Sequence, residues 1–360
     1  MPARPSGAFH PFAALSLSRR QWLAGTSAAV LAGAFGLGGR RLAGAAPKEI
    51  RYATGGGIGP NEMQTVIYLD YMKENVLKRY GKDYTVKMTF TRGTPEAAAL
   101  LAAGQADMAT LAFSTFATTI LKNAVPNGLT IVADNYQDGR SGYAENSYFL
   151  REDSPVRQVT DLRGRRVGIN AFGSAVDLIM RVTLKKHGLD PKKDVQVVEV
   201  GFPNIGAAIR ERRIECGPLI LPFMAVEKAK GGIRPLFSGG EVFGQYSVIF
   251  HVVTNDFLKA NPEAVRAFLD DYVRGLKWFY DPKNRERALQ ITADFTKSPK
   301  DVLASYFMTP NDYYRDPDAC LSAKVIQTPI DAMYREGFID RPLDVSRYVD
   351  MSYLPNPCRV

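Results

Sequence analysis

Four short stretches of this 360-residue sequence carry residue types that hold a small molecule without reacting with it. Gly55 and Gly56, with Asn61 close behind, offer backbone N–H groups that a ligand can approach because no side chain stands in the way. No Gly-Lys-Ser/Thr follows them, so this is not a phosphate loop. Phe113, Ser114 and Thr115 offer two hydroxyls, further N–H groups and a ring to stack. Phe172, Gly173 and Ser174 put a glycine and a serine at a helix start, where free N–H groups and the helix dipole converge on an anion. Gly201, Phe202 and Asn204 form the matching junction further on. Tyr136, next to Asn135, and Tyr246 could clamp a planar or apolar body. Each of these also has a purely architectural reading, as a turn, a helix cap or a ring packed at a hinge.

Residues for covalent or metal chemistry are sparse. The sequence has no G-x-S-x-G and no H-E-x-x-H. Its three cysteines, Cys216, Cys320 and Cys358, do not have metal-site spacing; in an oxidising compartment they allow one disulfide and leave one thiol. Past residue 45 the only histidines are His187 and His251, and His251 sits in an apolar run as interior histidines do. Arg140 and Arg210 read as surface residues. No cofactor and no metal is expected.

The elements that must position these residues alternate. A strand-like run at 49–53 precedes the first glycines, and a helix pattern covers 62–80. Strands follow at 84–90, 108–113, 129–133 and 148–150, with a capped helix opening at Thr94-Pro95-Glu96. This is an α/β domain with a largely parallel sheet. A crossover is read at 151–155, then a second series: strand 167–170, helix 174–187, strand 195–200, helix 204–213, strand 218–221, helix 222–229 and strand 233–237. The long β-like run at 245–254 reads as the return crossover. From Asn261 onward the patterns are helical, at 262–279, 284–295, 298–307 and 321–336, the last with a kink or break expected at Pro329. The expected domains are a lobe of 46–150 plus 246–360 and a lobe of 151–245.

The first 45 residues differ from the rest. They hold five arginines and no Asp, Glu or Lys, an Ala/Gly/Leu run, and Ala43-Gly44-Ala45 as a cleavage pattern, which makes a secretory signal. The pair Arg19-Arg20 resembles a twin-arginine signal, so the mature protein is expected in the periplasm. The whole chain carries 46 Lys+Arg against 37 Asp+Glu, a net +9; without those five arginines it is +4, too mild to argue for nucleic acid.

Several stretches, in order, resemble substrate-binding proteins of the nitrate/sulfonate/taurine family of ABC importers, within the thiamin-pyrimidine-synthase-like superfamily. They are Asp161-Leu162-Arg163-Gly164-Arg165-Arg166-Val167, then Phe172-Gly173-Ser174, then Asp256 through Val265, then Ile330 through Phe338. The resemblance implies a type II periplasmic binding protein fold: two α/β lobes, two crossover segments and a helical C-terminal region. It implies a monomeric receptor closing on a small molecule and delivering it to an inner-membrane permease with a cytoplasmic ATPase. Family members often have Asp where Cys216-Gly217 stands, and an aromatic run ending in Glu-Pro where this chain has Leu219 to Phe223. With Phe113, Phe172, Phe202 and Tyr246, this more apolar wall suggests an organic anion, a sulfonate or carboxylate with an apolar body. Alternatives are a receptor of a tripartite transporter, a sensor, or an enzyme like the thiamin-pyrimidine synthases.

Overall fold

The computed structural model describes residues 46–356 except residue 58, together with Cys358; the expected signal at 1–45 lies outside the described residues. Ten strands follow the apolar runs: β1 Lys48–Thr54, β2 Tyr84–Phe90, β3 Met108–Ala112, β4 Leu129–Asp138, β5 Ser147–Arg151, β6 Arg166–Ile169, β7 Gln196–Glu199, β8 Cys216–Leu219, β9 Ile233–Ser238 and β10 Tyr246–Thr254. They form two five-stranded sheets, ordered β2-β1-β3-β10-β4 and β7-β6-β8-β5-β9. Strands β3 and β8 are buried along their whole length, as expected of central strands covered on both faces.

Each sheet contains one strand that runs against the others. In the first sheet β10 is antiparallel to both β3 and β4. In the second, β5 is antiparallel to β8 and β9. These are the two strands by which the chain enters a sheet from the other one. A parallel return needs a crossover of a dozen or more residues, and the links at 139–146 and 239–245 are shorter than that. The sequence expectation placed the 148–150 strand in the first series and the crossing at 151–155; instead β5 belongs to the second sheet and the chain crosses before it. Likewise 246–254 is a central strand of the first sheet. Alternation of apolar residues shows that a strand is half or fully buried, and says nothing about which sheet accepts it.

The two links pack on each other through glycine. A Cβ on Gly139 would stand 1.9 Å from the Gly244 carbonyl oxygen, and one on Gly240 would stand 2.1 Å from Glu145 Oε2. Gly139 and Gly244 both have positive φ, so a larger residue is disfavoured by conformation at both and by space at Gly139.

The long helix expected at 62–80 is instead two short ones, Gln64–Ile67 and Asp70–Asn75. Tertiary partners replace the missing helical bonds. The Asp271 carboxylate accepts from the N–H groups of Lys78, Arg79 and Tyr80 at 2.8, 3.0 and 2.9 Å. Tyr68 stacks on Phe268 at 5.1 Å and donates to its carbonyl oxygen at 3.0 Å.

Both of those partners lie on the Pro262–Tyr280 helix, which packs the C-terminal region onto the first sheet. Burying a ring such as Phe268 contributes about 1.5–3 kcal/mol. Ala323–Arg335 runs through Pro329 without a break. Pro329, Ile330 and Met333 are buried, and that packing offsets the roughly 3 kcal/mol an interior proline costs. Cys320 and Cys358 form a disulfide, and Cys216 is a free, buried thiol.

Candidate functional site

The carboxyl ends of β1, β3, β6, β7 and β8 converge on a cavity between the two sheets, where open α/β sheets place their ligands. Its volume is about 30 Å³. The lobes already touch around it. Ser114 Oγ donates to the Gly173 carbonyl oxygen at 3.0 Å, and Thr115 Oγ1 to the same oxygen at 3.3 Å. Tyr313 OH donates to Asn146 Oδ1 at 2.7 Å and accepts from the Leu221 N–H at 2.9 Å. This is a closed arrangement.

Six of the expected residues line the cavity: Gly55, Gly56, Asn61, Tyr136, Ser174 and Phe202. Tyr136 is held by stacking on Tyr313 at 4.4 Å. The others are placed differently. Phe113 is fully buried and packs edge-on against Phe243 and Tyr246. Tyr246 is also buried and donates its OH to Asp138 at 3.0 Å. Both rings build the region where the chain crosses between sheets, because the crossover needs an apolar filling of its own. Phe172 is 52% exposed and turns away toward Arg181. Ser114 and Thr115 use their hydroxyls on the opposite lobe, Gly201 supplies a positive-φ helix entry, and exposed Asn204 donates back to Val200. The apolar part of the wall comes from Ala112, Ala175, Val176, Ile220, Val248 and Ile249.

The expected anion site at the Ala175–Lys186 helix start is occupied from within. Ser174 caps the helix by accepting from the Asp177 N–H, and donates to Asn170 Oδ1 at 2.7 Å. The Gly173 N–H donates to Asp177 Oδ2 at 2.8 Å, so a carboxylate of the chain itself holds the position an anion would take. Burial raises the Asp177 carboxyl, against that N–H and Arg181 Nε at 2.6 Å.

The first junction is the opposite case. Glu62, fully buried, was read only as a helix start. Its Oε2 accepts from Gly55 N–H at 3.2 Å, Gln64 Nε2 at 2.6 Å and Thr110 Oγ1. Its Oε1 has no hydrogen-bond partner among the described residues, and neither do Asn61 Nδ2 or Asn146 Nδ2. The space beside Gly56 brings two of these together: a Cβ there would stand 2.6 Å from Glu62 Oε1 and 3.0 Å from Asn61 Nδ2. Burial pushes the Glu62 carboxyl up to about 7. An acidic residue immediately after a glycine-rich turn was the signal available in the sequence.

Behind Glu62 runs a chain of buried polar groups. Asn135 donates to Gln64 Oε1 at 2.7 Å and lies 3.2 Å from His251 Nε2, whose other nitrogen is 2.6 Å from Tyr52 OH. Burial lowers His251 to about 3, so it is neutral at physiological pH and serves as an interior residue. Arg210 pairs with Glu227 at 2.7 Å, and Arg140 covers Tyr314. Among the described residues, no Lys, Arg or His lines the cavity and no His/Cys/Asp/Glu cluster has metal-site geometry.

Comparison with known proteins agrees with this geometry. A candidate aliphatic sulfonates-binding protein of Escherichia coli is 22% identical over 201 residues, 56% of this chain and 61% of that one. A nitrate/nitrite binding protein of Nostoc is 24% identical over 177 residues, 49% of this chain and 39% of that one. The chain therefore spans less than two thirds of the length of either relative. Among solved structures, the periplasmic aliphatic sulphonate binding protein of Escherichia coli matches with a TM-score of 0.62 at 18% identity, over 84% of this chain and 97% of that one. The periplasmic nitrate-binding protein of Synechocystis matches with a TM-score of 0.65 at 16% identity, over 85% and 87%. These structures show that the fold is that of the periplasmic binding proteins. The model of the NMT1-like family matches residues 64–293, most of the described chain, and the protein belongs to that family.

Proposed function

We propose that this protein is an exported, monomeric solute receptor that closes its two lobes around a small organic acid and delivers it to an ABC-type permease driven by an ATPase. The observation that carries the reading is the cavity itself. It lies between two sheets linked by two crossings, and buried amide donors beside it, Asn61 Nδ2 and Asn146 Nδ2, have no partner among the described residues and are free to meet a ligand. Ligand contacts from both lobes would stabilise the closed state, and the bonds from Ser114 and Thr115 to Gly173 would form on closure. The acid group would be held by Asn61 and Asn146, by dipoles rather than by a cation.

Export is supported by the signal-like segment with Arg19-Arg20 and by the Cys320–Cys358 disulfide, a bond that persists in oxidising compartments. The relatives named for binding sulfonates and nitrate support a transport role rather than an enzymatic one.

A thermal-shift screen of the purified protein against sulfonates, aliphatic and aromatic carboxylates, nitrate and bicarbonate tests the reading. A ligand at 100 times its Kd adds about 2.7 kcal/mol, which is readily seen. Stabilisation by an organic acid is the expected result. Stabilisation by nitrate or bicarbonate alone would rule out the organic class.

A further inference from the structure

Resting on the receptor reading, we infer that Glu62 is a specificity-determining residue: the ligand presents an N–H donor, amine or amide, to Glu62 Oε1 and an acceptor oxygen to Asn61. Three observations lead there. Glu62 and Asn61 are 0% and 3% exposed, and each keeps one polar atom without a partner among the described residues. Both atoms lie beside Gly56, and Gly56 and Asn61 line the cavity. They are of opposite kind. Asn61 Nδ2 can only donate, and an ionised Glu62 Oε1 can only accept. A bare oxyanion satisfies Asn61 and leaves a carboxylate facing it with no cation on the cavity wall to relieve the repulsion. A solute with an oxygen acceptor and an N–H satisfies both. Leaving either group unpaired is costly enough that the discrimination reads as a tenfold or greater difference in affinity.

The protonation of Glu62 supports this. Burial brings its carboxyl to about 7, so near neutrality part of it carries a proton, and a cationic amine would expel that proton on binding. Apart from two aspartates on β4, the titratable groups around it do not compete in that range. Tyr52 on β1, Tyr136 on β4 and Tyr272 on the Pro262–Tyr280 helix are raised well away from neutrality by burial, and His251 on β10 is lowered. Arg315 donates to the Asn61 carbonyl oxygen at 3.0 Å and stays charged. Asp134 and Asp138 on β4 do titrate near 7 and 8, but they are bonded to Ser247 and Gln137, and to Tyr246 and the Asn146 N–H. A Glu62→Gln variant separates their contribution from that of Glu62.

The test is calorimetric titration of the full chain with matched pairs differing in the N–H: β-alanine against propionate, 2-aminoethanesulfonate against ethanesulfonate, and succinamate against monomethyl succinate. The expected result is that the N–H member of at least one pair binds tenfold or more tightly than its match. E62Q should bring that ratio below threefold and abolish proton release by the amines, measured in two buffers of different ionisation enthalpy. Equal or tighter binding of the N–H-free acids would overturn the inference and leave the receptor reading standing. An unchanged ratio in E62Q would also overturn it. If no member of any pair binds, the ligand class is wrong, and the wider thermal-shift panel judges the receptor reading separately. Should E62Q not fold, the ratio in the unsubstituted protein decides.

Discussion

The junctions that follow β1 and β6 look alike on paper: a glycine and a small polar residue between a strand and a helix, one in each lobe. In space each has a carboxylate of the chain on its glycine N–H, Asp177 on Gly173 and Glu62 on Gly55, but they differ in what stays unpaired. At the β6 junction the Gly173 N–H and the Ser174 hydroxyl are satisfied by Asp177 and Asn170. At the β1 junction Asn61 and Glu62 each bury an atom with no partner among the described residues. The difference turns on one side chain, since Asp177 folds back on its own helix start while Glu62 leaves one of its two oxygens open. A motif that binds an anion in principle binds one in fact only if the chain has not already supplied it. We propose that the polar end of the ligand meets the first lobe at Asn61, whose amide donor has no partner among the described residues, with the second lobe contributing closure and apolar wall.

The sharpest way to break that comparison is Gly56→Val. The added carbons collide with Glu62 Oε1 and Asn61 Nδ2, and affinity should fall by at least about 100-fold while unfolding stays cooperative. An affinity within threefold of the original would move the ligand elsewhere.

A paired substitution sharpens the comparison. Asn61→Ala removes an unpartnered donor and should weaken binding about 10- to 30-fold, in line with a hydrogen bond to a charged group. Asp177→Ala should change affinity by threefold or less and lower Tm by several degrees, because it frees the Gly173 N–H and Arg181. The reverse order would return the anion to the β6 junction.

The unpaired state of Glu62 also predicts a pH effect. The folded pKa of about 7 is raised above the unfolded value, so the folded state binds more protons between the two. The contribution to stability is fully present below the unfolded pKa and is lost as pH rises through 7. Asp134 and Asp138 act in the same direction through about 7 and 8. His251, lowered to about 3, acts oppositely, but only below its unfolded pKa of 6.5. Ligand-free stability should thus fall as pH rises from about 5 to 8, by up to roughly 1.4 kcal/mol per pH unit for each carboxyl still below its folded pKa, and fall less steeply below pH 7 in Glu62→Gln. A flat profile would show that Glu62 is solvated.

The smallest effect belongs to closure. Ser114→Ala removes one of the two hydroxyls that donate to Gly173 across the lobes, worth about 0.5–1.5 kcal/mol, and should weaken binding about three- to fivefold through a less populated closed state. Unchanged affinity would mean that the Thr115 and Tyr313 bonds carry closure.

Much of this was legible beforehand, and the gaps have physical causes. Strands such as 84–90 and helices such as 204–213 and 262–279 sit within a few residues of their expected places, because periodicity reports local burial. The 62–80 helix was misread because Asp271 and Phe268, nearly 200 residues away, offered that segment better partners than its own carbonyls. Phe113 and Tyr246 were expected against a ligand and are found packed against each other. A ring needed to fill a crossover has the same composition as one that clamps a solute. Cys320 and Cys358 were two of three possible partners, and only the folded tail brings them together.

The sequence by itself determined the alternation of strands and helices, the two-lobed class, the helical tail and the glycine-marked strand ends, because each follows from interactions between residues close along the chain. Tertiary structure decided which sheet receives β5, which junction satisfies itself, and that Glu62 is buried beside Asn61 with one oxygen open among the described residues. Those outcomes depend on which polar group reaches which partner across the fold, and no local pattern contains that choice.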